Sequence, residues 1–149
     1  KSYGTLETVI KQISINGDNT RPTLDSGQKA CIKVEIESQV DMTDLTCGIA
    51  IRDSYGQDIF GTNTFHHQQI LTLTKSSTTS IEFELDMNIG AGKYTISAAV
   101  HNIPTMSDYV LNWHDEVLEF NVIVASNNYF EGVCRLEPLI TIKQVQNRK

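Results

Sequence analysis

Residues 31–37 read Cys, Ile, Lys, Val, Glu, Ile, Glu, so that apolar Ile32, Val34 and Ile36 alternate with charged Lys33, Glu35 and Glu37. A period of two sends one set of side chains to a core and the other to water, which only a strand of a half-solvated sheet satisfies. The same signature recurs along the chain. Residues 6–15 carry Val9, Ile13 and Ile15 and stop at the turn signal Asn16, Gly17, Asp18. Residues 80–87 place Ile81, Phe83 and Leu85 on one face before Gly90, Ala91 and Gly92 turn the chain. Residues 92–101 and 117–125 follow, with Tyr94, Ile96 and Val100, then Leu118, Phe120, Val122 and Val124, on their bulky faces. Ile70 to Leu73 is a further short candidate, and no segment has a convincing helical period. Strands at this spacing, joined by Gly, Asn, Asp and Ser clusters, predict an all-β chain folded as an immunoglobulin-like antiparallel β-sandwich. The Cys, Trp, Cys spacing of antibody domains is missing.

The stretch IAIRDSYGQDIFGTNT, residues 49–64, reads as a hairpin. Ile49 and Ile51 alternate with Ala50 and Arg52, Asp53, Ser54 and Gly56 supply turn chemistry, and Ile59 and Phe60 resume the apolar pattern. Gly61 in the polar run that ends at Thr64 reads as a bulge or strand crossing. Two segments lie outside the alternation. Residues 102–116 are too long for a hairpin connection and are expected to be an irregular loop. Beyond the Gly/Asn-rich connector 126–132, Leu139 to Val145 alternate again and predict a last strand, bounded at about 133–146, that pairs at home or exchanges between two copies.

At 149 residues the chain fits one domain that buries roughly two-thirds of its unfolded surface. A net charge of −6 with scattered Lys and Arg argues against a nucleic-acid partner. No run approaches the roughly 18 apolar residues of a membrane helix. Cys31, Cys47 and Cys134 are odd in number and lack CxxC spacing, which fits free thiols in a reducing compartment; no Asn-x-Ser/Thr sequon occurs. The first residue is not methionine, so a fragment of a longer protein is expected.

Chemistry is sparse. NIGAGKYT, residues 88–95, has the glycines of a phosphate loop but Met87 and Tyr94 where such a loop needs Gly and Ser or Thr, and a strand follows. His114, Asp115 and Glu116 are consecutive and so poorly placed to converge on a metal, and an exposed polar loop explains them; adjacent His66 and His67 point to opposite faces of a strand. No nucleophile elbow is present. The expectation is no catalytic residue, no metal and no cofactor. The outer faces of residues 46–52, 93–101 and 117–125 are more informative: Thr46, Gly48, Ala50 and Arg52, then Thr95, Ser97, Ala99 and His101, then Glu119, Asn121 and Ile123. Such small residues on neighbouring strands form a shallow floor for a flat polar ligand such as a sugar chain. Arg52, Ser97, His101 and Asn121 are candidates to hydrogen-bond hydroxyls, and Trp113 or Tyr109 to stack on a pyranose. Arg52 and His101 together would favour a phosphate-bearing cap. The competing reading is that a loop or a partner's strand covers the floor.

Gly48-Ile49, Ile51-Arg52, Gly56 and Phe60-Gly61-Thr62-Asn63-Thr64 resemble the C-terminal carbohydrate-binding domain of the ATP-binding subunit of O-antigen polysaccharide ABC transporters, the Wzt type. The resemblance extends through YGTLETVI at the start, Ser26-Gly27, Gly92-Lys93-Tyr94-Thr95, Trp113-His114-Asp115 with Leu118-Glu119-Phe120, and Gly132-Val133 with Leu136. It implies a homodimer that exchanges its last strand. It also implies non-catalytic recognition of the capped non-reducing end of a lipid-linked O-polysaccharide, at the cytoplasmic face of the bacterial inner membrane. Any ATP hydrolysis, and the link to the transmembrane subunit, would belong to an N-terminal domain outside this chain. The alternative is a structural dimerisation module of the transporter without direct glycan contact.

Overall fold

The computed structural model describes residues 2–3, 7–103 and 110–147, with side chains for residues 7–103 and 117–147. Two sheets face each other across one apolar core. The smaller holds β2 (Thr8–Ile15), β4 (Lys29–Ser38) and β8 (Thr78–Asp86) in the order β2-β4-β8, all antiparallel. The larger is seven-stranded, with β1 (Ser2–Tyr3), β10 (Val110–Ile123), β9 (Gly92–Asn102), β5 (Met42–Asp53) and β6 (Asp58–Asn63) in that order. Two short strands complete it: β3 (Thr23–Asp25) runs parallel to β10, and β7 (Leu71–Leu73) pairs with β5.

The alternation read from the sequence fixes which residues fill the gap. Ile32, Val34 and Ile36 from β4 meet Cys47, Ile49 and Ile51 from β5, Ile96 and Val100 from β9, and Leu118, Phe120 and Val122 from β10. Phe120 is 1% exposed, and its ring stacks on Tyr94 with centroids 5.5 Å apart. The outer face of the small sheet is charged, with Lys33 opposite Glu82 and Cys31 opposite Glu84. That face belongs in water, as the alternation of β4 requires.

One expectation needs correction and another is narrowed. Residues 110–116, expected to be loop, continue β10 and pair with β9. Their periodicity is hidden because β10 slips twice: Val110 and Asn112 face His101 and Val100, and His114 and Leu118 face Ala98 and Ile96. In the second slip β10 takes four steps where β9 takes two. The expected strand at about 133–146 is not a strand within one copy of the chain. Leu139, Ile140, Ile142 and Val145 are between 77% and 96% exposed, and no strand among the described residues pairs with them. An extended alternating segment becomes a strand only where an edge offers it hydrogen bonds.

The segment after β6 gains a definite role. Thr64 Oγ1 accepts from the Cys47 amide and lies 3.2 Å from Thr46 Oγ1, which accepts in turn from the Phe65 amide. Asn63 Oδ1 accepts from the His66 amide, starting a single 3-10 turn at Phe65–His67. This polar run therefore stitches the end of β6 over the start of β5.

Candidate functional site

The three strands whose outer faces formed the predicted floor are adjacent, in the order β10-β9-β5. Their register draws rows across the sheet: Asp58, Arg52, Thr95 and Glu119 in one, Ala50 beside Ser97 in the next, Gly48 beside Ala99 beyond it, and Thr46 beside His101 last. A cavity of about 420 Å³ opens at the Arg52 end, lined by Arg21, Arg52, Ser54, Lys93, Thr95, Glu119 and Asn121 among others.

Each wall of this cavity is set by local chemistry. Arg52 Nε donates to Asp58 Oδ1 at 2.8 Å across the β5–β6 ladder, which orients the guanidinium along the sheet. The Asp53 carboxylate accepts from the amides of Tyr55 and Gln57, closing the turn that brings Ser54 to the rim. Arg21 reaches in from the turn before β3 and pairs with Glu119 at 2.7 Å. The Arg21 backbone sits at φ +74, unusual for a side chain with a Cβ and held where the Asn121 amide bonds the Pro22 carbonyl. Both ion pairs are solvent-exposed, so each contributes at most about 1 kcal/mol to stability. Their effect is directional: each pair presents fixed donors and acceptors side by side. That arrangement suits a ligand that carries both, such as adjacent hydroxyls.

Of the six candidate residues, the four whose side chains are described, Arg52, Ser97, His101 and Asn121, do not converge. Arg52 and Asn121 line the cavity. Ser97 is on the same face but 2% exposed, and its Oγ has no hydrogen-bond partner among the described residues, so it lies beneath the surface. His101 is six residues along β9 from Thr95, roughly 20 Å at strand rise. Arg52 and His101 therefore cannot grip one phosphate together. Trp113 lies in β10 opposite Ala99, and its side chain, like those of His114, Asp115 and Glu116, falls outside the described residues, as does Tyr109 altogether. Arg21, Lys93 and Ser54 were not legible as site residues. Arg21 in particular arrives through the parallel pairing of β3 with β10, which no local pattern announces.

Burial holds the His101 imidazole below its ordinary pKa. The unfolded chain therefore binds more protons at this position, so its contribution to stability is complete above the unfolded pKa of about 6.5 and falls as pH drops toward the folded one. Thermal melts from pH 7.5 to 5 should show a falling midpoint whose slope is reduced in His101→Asn; an unchanged slope would mean His101 is fully hydrated. On the small sheet, ligand atoms of Cys31, Glu82 and Glu84 lie within 4.8 Å of one another. Burial and the two carboxylates push the Cys31 thiol pKa up, against thiolate formation.

An immunoglobulin-like β-sandwich with a charged cavity at one end of its larger sheet is thus the class of domain in hand. The chain belongs to the Wzt C-terminal domain family, whose sequence profile matches residues 1–136. The crystal structure of the C-terminal domain of Wzt superposes with a TM-score of 0.83 at 18% identity, over 96% of this chain and 88% of that one. The DNA-bound alkylpurine DNA glycosylase AlkC of Pseudomonas fluorescens is more distant, with a TM-score of 0.51 at 14% identity over 78% of this chain and 30% of its own. At these identities the likeness speaks for the fold. No curated protein sequence matches the chain.

Proposed function

We propose that this domain binds, without catalysis, the capped non-reducing terminus of a lipid-linked O-antigen polysaccharide, and so gives an ABC exporter its substrate specificity. Membership of the Wzt C-terminal domain family supports a role in that transporter. The observation that carries the glycan reading is the cavity where Arg52–Asp58 and Arg21–Glu119 flank Asn121, Thr95 and Ser54. Paired charges and small polar groups on a shallow floor match the alternating donors and acceptors of a sugar ring. In this reading ATP hydrolysis and contact with the transmembrane subunit belong to another part of the protein, and this domain works on the cytoplasmic side of the inner membrane. No helix of the described residues is long and apolar enough to cross a membrane.

The second reading, a dimerisation module, draws on a different observation. Leu139, Ile140, Ile142 and Val145 are exposed, while Ile81 and Phe83 of edge strand β8 are only partly buried beside Phe60. Exchange of the tail between two copies would cover both surfaces, and the two readings are compatible in a homodimer.

Isothermal titration with capped and uncapped oligosaccharide separates them. The expected result is binding of the capped chain, weakened tenfold or more by Arg52→Ala and several-fold by Asn121→Ala, in line with about 1–3 kcal/mol for a lost polar contact. Negligible heat for both oligosaccharides would remove the glycan reading and leave the dimer reading standing.

A further inference from the structure

The Gly/Asn-rich connector 126–132 is tied down by the side chain that follows it. Arg135 is only 8% exposed. Its Nε donates to Ser26 Oγ at 3.4 Å, and its two terminal nitrogens donate to Asn128 Oδ1 at 2.9 Å and to the Asn128 carbonyl at 2.7 Å. The guanidinium carbon sits 4.5 Å from the centre of the Phe130 ring, and the Glu137 carboxylate is 3.8 Å from Nε. Ser26 Oγ passes the link on by donating to the Ile89 carbonyl at 2.7 Å. The backbone joins in: the Arg135 amide donates to the Asn88 carbonyl, and the Gly90 amide to the Val133 carbonyl. Gly90 has no room for a side chain here, since a Cβ would come within 2.8 Å of the Gly132 carbonyl oxygen.

Resting on the exchange reading above, we infer that Arg135 is a latch that fixes the pivot of the C-terminal arm at residues 136–138. A guanidinium is well suited to this, because its planar fork satisfies several acceptors at once while a face stacks on an aromatic ring. It fastens the β3–β4 turn, the β8–β9 turn and the connector to one another. Beyond it, Pro138 biases Glu137 toward extended backbone, so the chain leaves straight from a defined point. The connector is thereby the fastened part, and the segment left to reach a second copy is the apolar arm.

Hydrogen exchange by mass spectrometry on the whole chain, with sedimentation velocity at several concentrations, tests the latch. In the wild type, peptides carrying the Gly90 and Arg135 amides should be protected, and dilution that dissociates the dimer should deprotect 139–145 alone. Arg135→Ala should speed exchange of both latch peptides at least tenfold, leave β9 unchanged and weaken the dimer at least tenfold. Arg135→Lys, which keeps the charge but not the fork, should fall between. Gly90→Ala should release the same peptides with Arg135 intact. Free-chain exchange of 126–135 in the wild type, or unchanged exchange and dimerisation in Arg135→Ala, would overturn the latch. A chain monomeric at every concentration would overturn the exchange reading, while protection lost in Arg135→Ala would still support Arg135 as the fastening.

Discussion

Phe120→Ala lowers the unfolding free energy by about 3–5 kcal/mol and the thermal midpoint by roughly 6–20 °C. The ring is closed in by both sheets and stacked on Tyr94, whose own hydroxyl donates to the Gly90 carbonyl at 2.7 Å. Removing it strips apolar contact from the centre of the core and leaves a cavity that β10, tied on one side to β9 and on the other to β3, cannot collapse into. Urea denaturation followed by circular dichroism gives the number directly; a loss under about 1 kcal/mol would mean that the two sheets do not close over this ring. The same substitution unsettles the cavity from behind, because Glu119 and Asn121 flank Phe120 on the opposite face. Phe120→Leu, which keeps most of the volume, should retain most of the stability.

The second large effect is chemical. Burial pushes the Cys47 thiol up to about 12, against an ordinary 9.0. Only the thiolate attacks alkylating reagents, so at pH 8 the reactive fraction falls roughly thousandfold. Native iodoacetamide labelling resolved by peptide mapping should therefore modify exposed Cys134 first, half-buried Cys31 more slowly and Cys47 only as the sandwich unfolds. Cys47 reacting as fast as Cys134 would mean that β5 opens without global unfolding. The order matters in practice: Cys134, in the bridge that faces Ile89, is the natural position for a label that reports on the latch.

Legibility followed the length of the pattern. Strands with at least three alternating apolar residues, β2, β4, β8, β9 and the second half of β10, were all readable, because a sheet with one wet face leaves no other solution. β3 was not: three residues with Leu24 alone facing inward have no period, and the partner strand lies about a hundred positions away. The first half of β10 was hidden by its slips. The floor of small residues was correctly assembled from alternation, which fixes sides but not lengths. Arg52 and His101 therefore read as companions although most of β9 separates them. Ser97 shows the complementary limit: face assignment cannot tell a surface hydroxyl from one that neighbours have covered.

The second slip in β10 has a further meaning. Four steps from His114 to Leu118 span what two steps cover from Ala98 to Ile96, an excess of two. An even excess preserves parity, so the inside and outside of the strand are not interchanged on passing through it. A deletion or insertion of two residues at this point would keep the alternation of β10 in step with β9, so that Leu118, Phe120 and Val122 still face the core. The length of β10 can thus change here in steps of two while the sandwich behind it stays the same.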